Sequence, residues 1–192
     1  MKRPMPKPAF VLAAACVVFA APALAQSPPD RAASPSTQNQ PAQTAQPQQN
    51  APSTADFVKA VAISDMFEIQ SSKLALEKKS RGDRQFARRM IHDHGQTSEQ
   101  LKRLVADGRV TAPLPTGLDG AHQQMLDQLR NDNGAEFDKA YDQMQLNGHK
   151  EAIALFESYA RNGDNAALKS WAATTLPHLQ EHLALAEKLS QR

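Results

Sequence analysis

The chain has little of several residue types on which common activities depend. Of its 192 residues only one is cysteine, Cys16, which excludes an internal disulfide and a structural site made of several thiolates. Aromatic residues make up only 5% of the chain. A glycine-rich phosphate loop, a His-Glu-x-x-His motif and a Gly-x-Ser-x-Gly nucleophile elbow are all absent. The sequence therefore has no enzyme signature, and a non-enzymatic role is the expectation.

An excess of charge of one sign is also missing. The chain has 22 basic and 20 acidic residues, a formal net charge of +2. Lys2, Arg3 and Lys7 lie in the first 25 residues, which contain no acid, so the remainder has 19 basic and 20 acidic residues. Because nucleic-acid binding relies on a surplus of positive charge, no nucleic-acid partner is expected.

The first 25 residues follow the order of a secretory signal peptide. The basic start precedes an apolar run over residues 9–21, and Ala23-Leu24-Ala25 forms a small-x-small cleavage site. The run is short for a membrane span of ~20 residues, so an uncleaved anchor is the weaker alternative. We expect Sec-type export, cleavage after Ala25, a periplasmic or otherwise exported location, and no transmembrane span in the mature chain.

Residues 26–54 have the composition of a disordered linker. This stretch holds six prolines and seven glutamines and no large apolar residue. Too little surface can be buried here to offset the entropy that is lost on ordering. The prediction is a signal peptide over 1–25, a linker over 26–54 and one folded domain over 55–192.

The folded part shows helical periodicity throughout and no strand-like alternation. Long amphipathic helices are predicted over 56–80, 84–107, 135–161 and 166–189, with a short helix over 118–129. In Gly82-Asp83 and in Gly163-Asp164, the glycine is interpreted as the residue after the end of one helix and the aspartate as the N-cap of the next. Asn133 and Glu136 have the spacing of a capping box for the helix that begins at 135. Two tight hairpins and a longer connection predict an all-α, ferritin-like antiparallel four-helix bundle with one crossover. Pro177 predicts a kink or a break in the last helix.

Small residues on the inward face of the first helix have a structural consequence of their own. Ala60, Ser64, Ser71 and Ala75 lie on its predicted apolar arc. Because small side chains allow helix axes to come close together, we expect tight helix packing along this face.

The folded part contains three motifs that are recognisable together: Met90-Ile91-His92-Asp93-His94, Phe137-Asp138-Lys139-Ala140-Tyr141 and Leu176-Pro177-His178-Leu179-Gln180-Glu181-His182-Leu183. With these motifs the sequence resembles DUF4142, a bacterial family of exported domains of unknown function. The resemblance covers about residues 56–189. It implies export and a ferritin-like fold but no established activity. The sequence departs from the family at Gly148-His149, where Asp-His is more usual.

Polar residues on the apolar stripes form a candidate metal site. Counted from the hairpin turns, a carboxylate and several imidazoles fall at similar depths in the bundle, and they are Glu68, His94, His149, His178 and His182. These ligand types favour one divalent ion such as zinc, iron or copper. A di-iron site is not expected, because Ile91, Leu146 and Leu179 stand where its Glu-x-x-His motifs need carboxylates.

Other interpretations of these residues stay open at the level of sequence. The same side chains can be hydrogen-bonded structural groups that set helix register, and no metal is then bound. Asp65 is interpreted as a solvated neighbour of Glu68, with a second ligand role as the alternative. His92 and His122 fall on faces predicted to be exposed. The main functional expectation is a non-catalytic envelope interaction or stress-associated module, and the alternative is a ferritin-like metal-binding protein.

Overall fold

Five helices make up the secondary structure of the computed structural model, which describes residues 52–80 and 83–191. The helices are α1 (Thr54–Glu77), α2 (Arg84–Ala106), α3 (Gly120–Asn131), α4 (Ala135–Asn162) and α5 (Ala166–Leu189). The described residues contain no strand, which confirms the all-α prediction. The predicted signal peptide, Cys16 and linker residues 26–51 lie outside the described residues, as does Gly82, and the predicted domain boundaries stay predictions.

Side-chain caps define where most of the helices begin. Ser53 Oγ accepts a hydrogen bond from the backbone N–H of Asp56 at the start of α1, and Asn165 caps α5 in the same way. The capping box predicted for α4 is wrong. Its N-cap is Gly134 at φ 56°, without a side-chain cap, and the Asn133 amide donates to the Asn131 carbonyl instead. Gly134 at positive φ is thus the N-cap, one residue after the predicted Asn133, while α4 begins at Ala135 as predicted.

Pairwise packing of the helices matches a bundle of two hairpins. α1 packs mainly on α2 and α4 mainly on α5, while α1 lies beside α4 and α2 beside α5. The crossover helix α3 packs on α1 and α4. α5 continues without interruption through Pro177, so the helix is not broken there, and the predicted kink stays a prediction. None of the helices in the described part is both long and apolar enough for a membrane span.

The buried apolar residues fall into two clusters. One contains Phe57, Phe156, Tyr159 and Trp171, and the other contains residues such as Phe86, Tyr141 and Leu189. Between them, a layer of polar side chains is buried, and its members are Asp65, Glu68, Ser71, Ser72, His94, Gln145, His149, Thr175 and His182. A polar layer inside a helical bundle needs hydrogen-bond partners, ligands or both.

The expected tight packing along α1 is realised only in part. Ser71 and Ala75 are buried, but Ala60 is exposed and Ser64 is half-buried. Ala60 and Ser64 line a cavity between α1 and α4. Because the facing side chains are themselves small, Ala152 for example, they leave the space between the two helices unfilled.

Candidate metal centre

Three histidines from three different helices meet in the polar layer. His94 of α2, His149 of α4 and His182 of α5 are each at most 3% exposed. Their ring centroids are 5.4–5.6 Å apart, and one ring nitrogen of each lies within 4.8 Å of the others. The bundle therefore gathers three imidazoles that are far apart in the sequence around one point.

Each of these rings is held by a hydrogen bond through one nitrogen. His94 Nδ1 lies 2.8 Å from Asp65 Oδ1, and His182 Nε2 lies 2.8 Å from Asp93 Oδ2. His149 Nδ1 lies 2.8 Å from the carbonyl oxygen of Gln145. Since a carboxylate or a carbonyl only accepts, each bonded nitrogen carries the proton. The other nitrogen of a neutral ring then has a free lone pair.

The remaining nitrogens have no hydrogen-bond partner in the described part of the chain. They are His94 Nε2, His149 Nε2 and His182 Nδ1, and all three are buried. Buried polar atoms are nearly always satisfied, and one left without a partner costs about 1–3 kcal/mol. Converging imidazole lone pairs fixed by carboxylates and carbonyls are the usual arrangement of histidine metal ligands. The residues present therefore fit a transition-metal ion.

Protonation favours two of the rings as ligands at neutral pH. Burial lowers the pKa of His149 to about 3, with the charge of His94 adding to the effect. Burial also lowers the pKa of His182 to about 4, although Asp93 opposes the shift. For His94 burial acts in the same direction, but the hydrogen bond and charge of Asp65 outweigh it and raise the pKa. A metal ion at this centre would thus displace a proton mainly from His94.

The two carboxylates that hold the rings were not identified from the sequence. Asp65 is 3% exposed and accepts hydrogen bonds from Thr97 and Ser98 as well as facing His94, so its interpretation as a solvated residue is wrong. Asp93 takes hydrogen bonds from Arg89 and His182. Burial acts to raise its pKa, but hydrogen bonds from His92, His182 and Arg89 lower it to about 2. The Asp93-His94 dipeptide of α2 was the sequence feature that could have indicated Asp93.

Glu68 is buried beside the histidines without being one of the converging group. It is 2% exposed, the Gln145 amide bonds to it, and its Oε2 has no partner within the described residues. Burial raises its pKa to about 7, although the charge of His94 acts in the opposite direction. Gly148, which stands where the family more often has aspartate, lies next to Glu68. A Cβ at position 148 would be 3.2 Å from Glu68 Oε1. An aspartate at 148 would therefore bring a second carboxylate against Glu68.

The structure does not bring His178 together with the other predicted ligands. His178 is exposed, whereas Thr175, Leu179 and His182 form the inward face of α5. His178 was predicted to be a ligand because it lies at a similar depth along the bundle axis. The direction in which a side chain points from its helix decides whether it reaches the centre. His92 is 68% exposed, as predicted. His122 is only 32% exposed and lines the cavity, where it bonds to Asp119.

Two openings reach this part of the bundle. A cavity of about 770 Å³ between α1, α3 and α4 extends to Glu68 and His94. A smaller one of about 280 Å³ between α2 and α5 is lined by Gln96, His178 and His182 among others. His94 therefore borders both openings, and His182 borders the smaller one.

Comparisons with known proteins give the chain its family. No curated protein matches the sequence. Among solved structures, the fold is similar to that of CopM in the Cu(II)-bound form, with a TM-score of 0.60 and 15% sequence identity over 73% of this chain and 97% of CopM. The model of DUF4142, a domain of unknown function, matches residues 38–189. The chain therefore belongs to the DUF4142 family, as its motifs predicted.

Proposed function

We propose that this protein is an exported metal-binding protein that holds one divalent transition-metal ion through His94, His149 and His182. The observation that supports the proposal is the convergence of three buried imidazoles, each with one nitrogen hydrogen-bonded and the other without a partner. The ion would satisfy three buried lone pairs at once and supply a positive charge to a layer that contains Asp65 and Glu68. Glu68 and His178 are not part of the proposed ligand set.

Copper(II) is the ion we favour. Imidazole ligands suit copper, zinc and iron, and among divalent first-row ions copper binds a given nitrogen site most tightly. The similarly folded CopM is known in a Cu(II)-bound form. The ligand set lacks the bridging carboxylates of di-iron enzymes, so we propose binding of one ion and no oxidation chemistry.

The competing function is the non-catalytic interaction or stress-associated module. Each of the three rings has one structural hydrogen bond, and such bonds fix helix register whether or not a metal binds. The two functions differ in whether the second nitrogen of each ring has a ligand.

Metal titration of the full chain distinguishes them. After treatment with a chelator, we expect one Cu(II) per chain by calorimetry and a melting temperature that rises with the concentration of free copper. Replacing His94, His149 or His182 singly by glutamine should weaken binding by more than ~100-fold, because loss of outer-shell partners alone costs 10–100-fold. His178→Gln is the matched control, an exposed histidine on the same helix as His182, and should leave affinity within about threefold.

The outcomes are separable by measuring folding in parallel. Circular dichroism establishes that each variant is helical before its affinity is compared. Absence of stoichiometric Cu(II) and Zn(II) binding by the folded wild-type chain would contradict the proposal and favour the non-catalytic module. Binding that is lost in His178→Gln but kept in His149→Gln would move the site to the protein surface.

A further inference from the structure

The larger cavity has the dimensions and walls of a small-molecule site. Its volume of about 770 Å³ falls in the ordinary range of ligand pockets, about 300–1,000 Å³. The walls are largely hydrophobic and include Val61, Phe67, Met125, Met144 and Leu155. α1 and α4 form two walls of the cavity, and α3 forms a third. A hydrocarbon group placed here would lose contact with water along most of its length.

One polar group at this cavity lacks a partner. Glu68 lines the cavity and is 2% exposed, and its Oε2 accepts no hydrogen bond from any described residue. Gly148 leaves room next to it, because a Cβ at that position would come within 3.2 Å of Glu68 Oε1. The geometry therefore presents a carboxyl group to a solute in the cavity without a side chain from α4 in between.

The charges around the cavity favour a cation. Four further acidic residues line it, and Lys59 is the one lysine or arginine among the described lining residues; these acidic residues are Asp56, Asp65, Asp119 and Glu151. His94 bonds to Asp65 and His122 bonds to Asp119, so imidazoles face two of these four carboxylates, and Asp56 and Glu151 are the other two. A cationic solute is thus attracted to this opening, and an anionic one is repelled.

We propose that this cavity binds a small amphiphilic amine, whose ammonium group donates hydrogen bonds to Glu68 and whose hydrocarbon body packs between α1 and α4. Only a donor satisfies Oε2, and a charged donor forms the stronger bond with a carboxylate. The apolar walls require a body that carries no further charge. The site is on the α1/α4 side of the histidines and needs no metal, so it goes beyond the proposed metal function.

Hexylamine, hexanol and hexanoate are suitable probes because they share one hydrocarbon chain and differ in the head group. We expect hexylamine to bind the chelator-treated full chain at least tenfold more tightly than hexanol at pH 8, where the Glu68 carboxyl is ionised, with hexanoate weakest. A charge-assisted hydrogen bond of about 1.5–3 kcal/mol corresponds to roughly a tenfold or larger preference. Calorimetry measures the affinities, and amide chemical shifts locate the contacts on α1 and α4.

Three variants test the role of each part of the cavity. Glu68→Gln should remove the preference for hexylamine over hexanol while leaving hexanol binding unchanged, and Glu187→Gln, an exposed carboxylate outside the cavity, should retain the preference. Ala152→Phe narrows the cavity and should weaken both ligands by about tenfold or more. Equal affinity of the wild-type chain for hexylamine and hexanol, or a preference that survives in Glu68→Gln, overturns the proposal. Because all these titrations contain a chelator, neither result depends on whether the histidines bind copper.

Discussion

At the scale of single residues, one hydrogen bond to each of the three buried histidines fixes the orientation of its ring. In each ring one nitrogen is fixed by Asp65, by Asp93 or by the Gln145 carbonyl, and the second nitrogen is left without a partner. The fixed bond sets both the tautomer and the orientation of the ring. Under the proposed function, an ion bound by the three remaining nitrogens would recover the cost of leaving them unsatisfied, and metal binding would then raise the stability of the fold.

Glu68 makes the stability of the metal-free chain depend on pH. Its folded-state pKa is raised from 4.5 to about 7 by burial, so the folded state holds a proton that the unfolded state has lost. Glu68 therefore contributes stability that is fully present below pH 4.5 and is lost as the pH rises to about 7. A shift of this size corresponds to about 3 kcal/mol.

Replacing Glu68 by glutamine removes this titration. We compare the effect of Glu68→Gln on the free energy of unfolding at pH 4 and at pH 8. This effect should be ~3 kcal/mol more favourable at pH 8, because the wild type then buries a charged carboxylate and the variant does not. Urea denaturation in the presence of a chelator, at both pH values, gives the double difference. Glu187→Gln, which alters an exposed carboxylate, serves as the control. An equal effect of Glu68→Gln at both pH values would contradict a raised pKa.

At the scale of helices, the Tyr159 ring packs directly against Gly163 in the turn between α4 and α5. A Cβ at Gly163 would lie 2.5–2.7 Å from three atoms of the Tyr159 ring. That ring stacks on Phe57 at 4.0 Å between centroids, and its hydroxyl bonds to Asp164. Because both sides of the tyrosine are held, the ring cannot move away from an added methyl group.

A pair of glycine substitutions separates this close approach from helix propensity. Gly163→Ala should destabilise the chain by about 1–3 kcal/mol through overpacking against Tyr159. Gly95→Ala, inside α2 and with no atom within 4 Å of its added Cβ, should stabilise it by about 0.5–1 kcal/mol. Thermal and urea denaturation measure both changes. Stabilisation by both substitutions would show that the α4–α5 turn tolerates a side chain.

At the scale of the whole molecule, a polar layer separates two apolar clusters. The clusters hold the bundle together from both halves, and the histidines lie in the layer between them. Because stability comes mainly from the apolar clusters, the layer can contain groups chosen for ligand binding rather than for packing. The cavity beside Glu68 borders both clusters, through Val61 and Phe156 of one and Phe67 of the other.

The predicted export concerns the full chain and has its own test. When the chain is produced in a bacterium with a periplasm, we expect the mature protein to begin at Gln26 and to appear in the periplasmic fraction. Replacing both Ala23 and Ala25 by arginine should block cleavage, because the processing enzyme accepts small residues at these positions. Mass spectrometry of each fraction measures the outcome. A wild-type product that keeps residues 1–25 in the membrane fraction would support an uncleaved anchor instead.

Helix content and order followed from the sequence because periodicity and end signals are local. The predicted span of α5, residues 166–189, agrees with the structure, and α2 and α4 agree within one residue. The capping box at Asn133 failed because a local pattern does not reveal that Gly134 adopts a left-handed turn. His94, His149 and His182 were selected for a similar reason: a polar residue on an apolar stripe is visible without knowing its partner.

The tertiary structure alone decided which of these residues meet. His178 was excluded by the rotation of α5, and Asp65 and Asp93 were placed against the rings by packing between helices, which no spacing along one helix specifies. The gap between α1 and α4 at Ala60 and Ser64 likewise depends on the small side chains that face them across the bundle. Sequence determined the helices and their apolar faces, because these arise from neighbours along the chain. Structure determined the cluster of three histidines and the cavity, because both are made of contacts between residues distant in the chain.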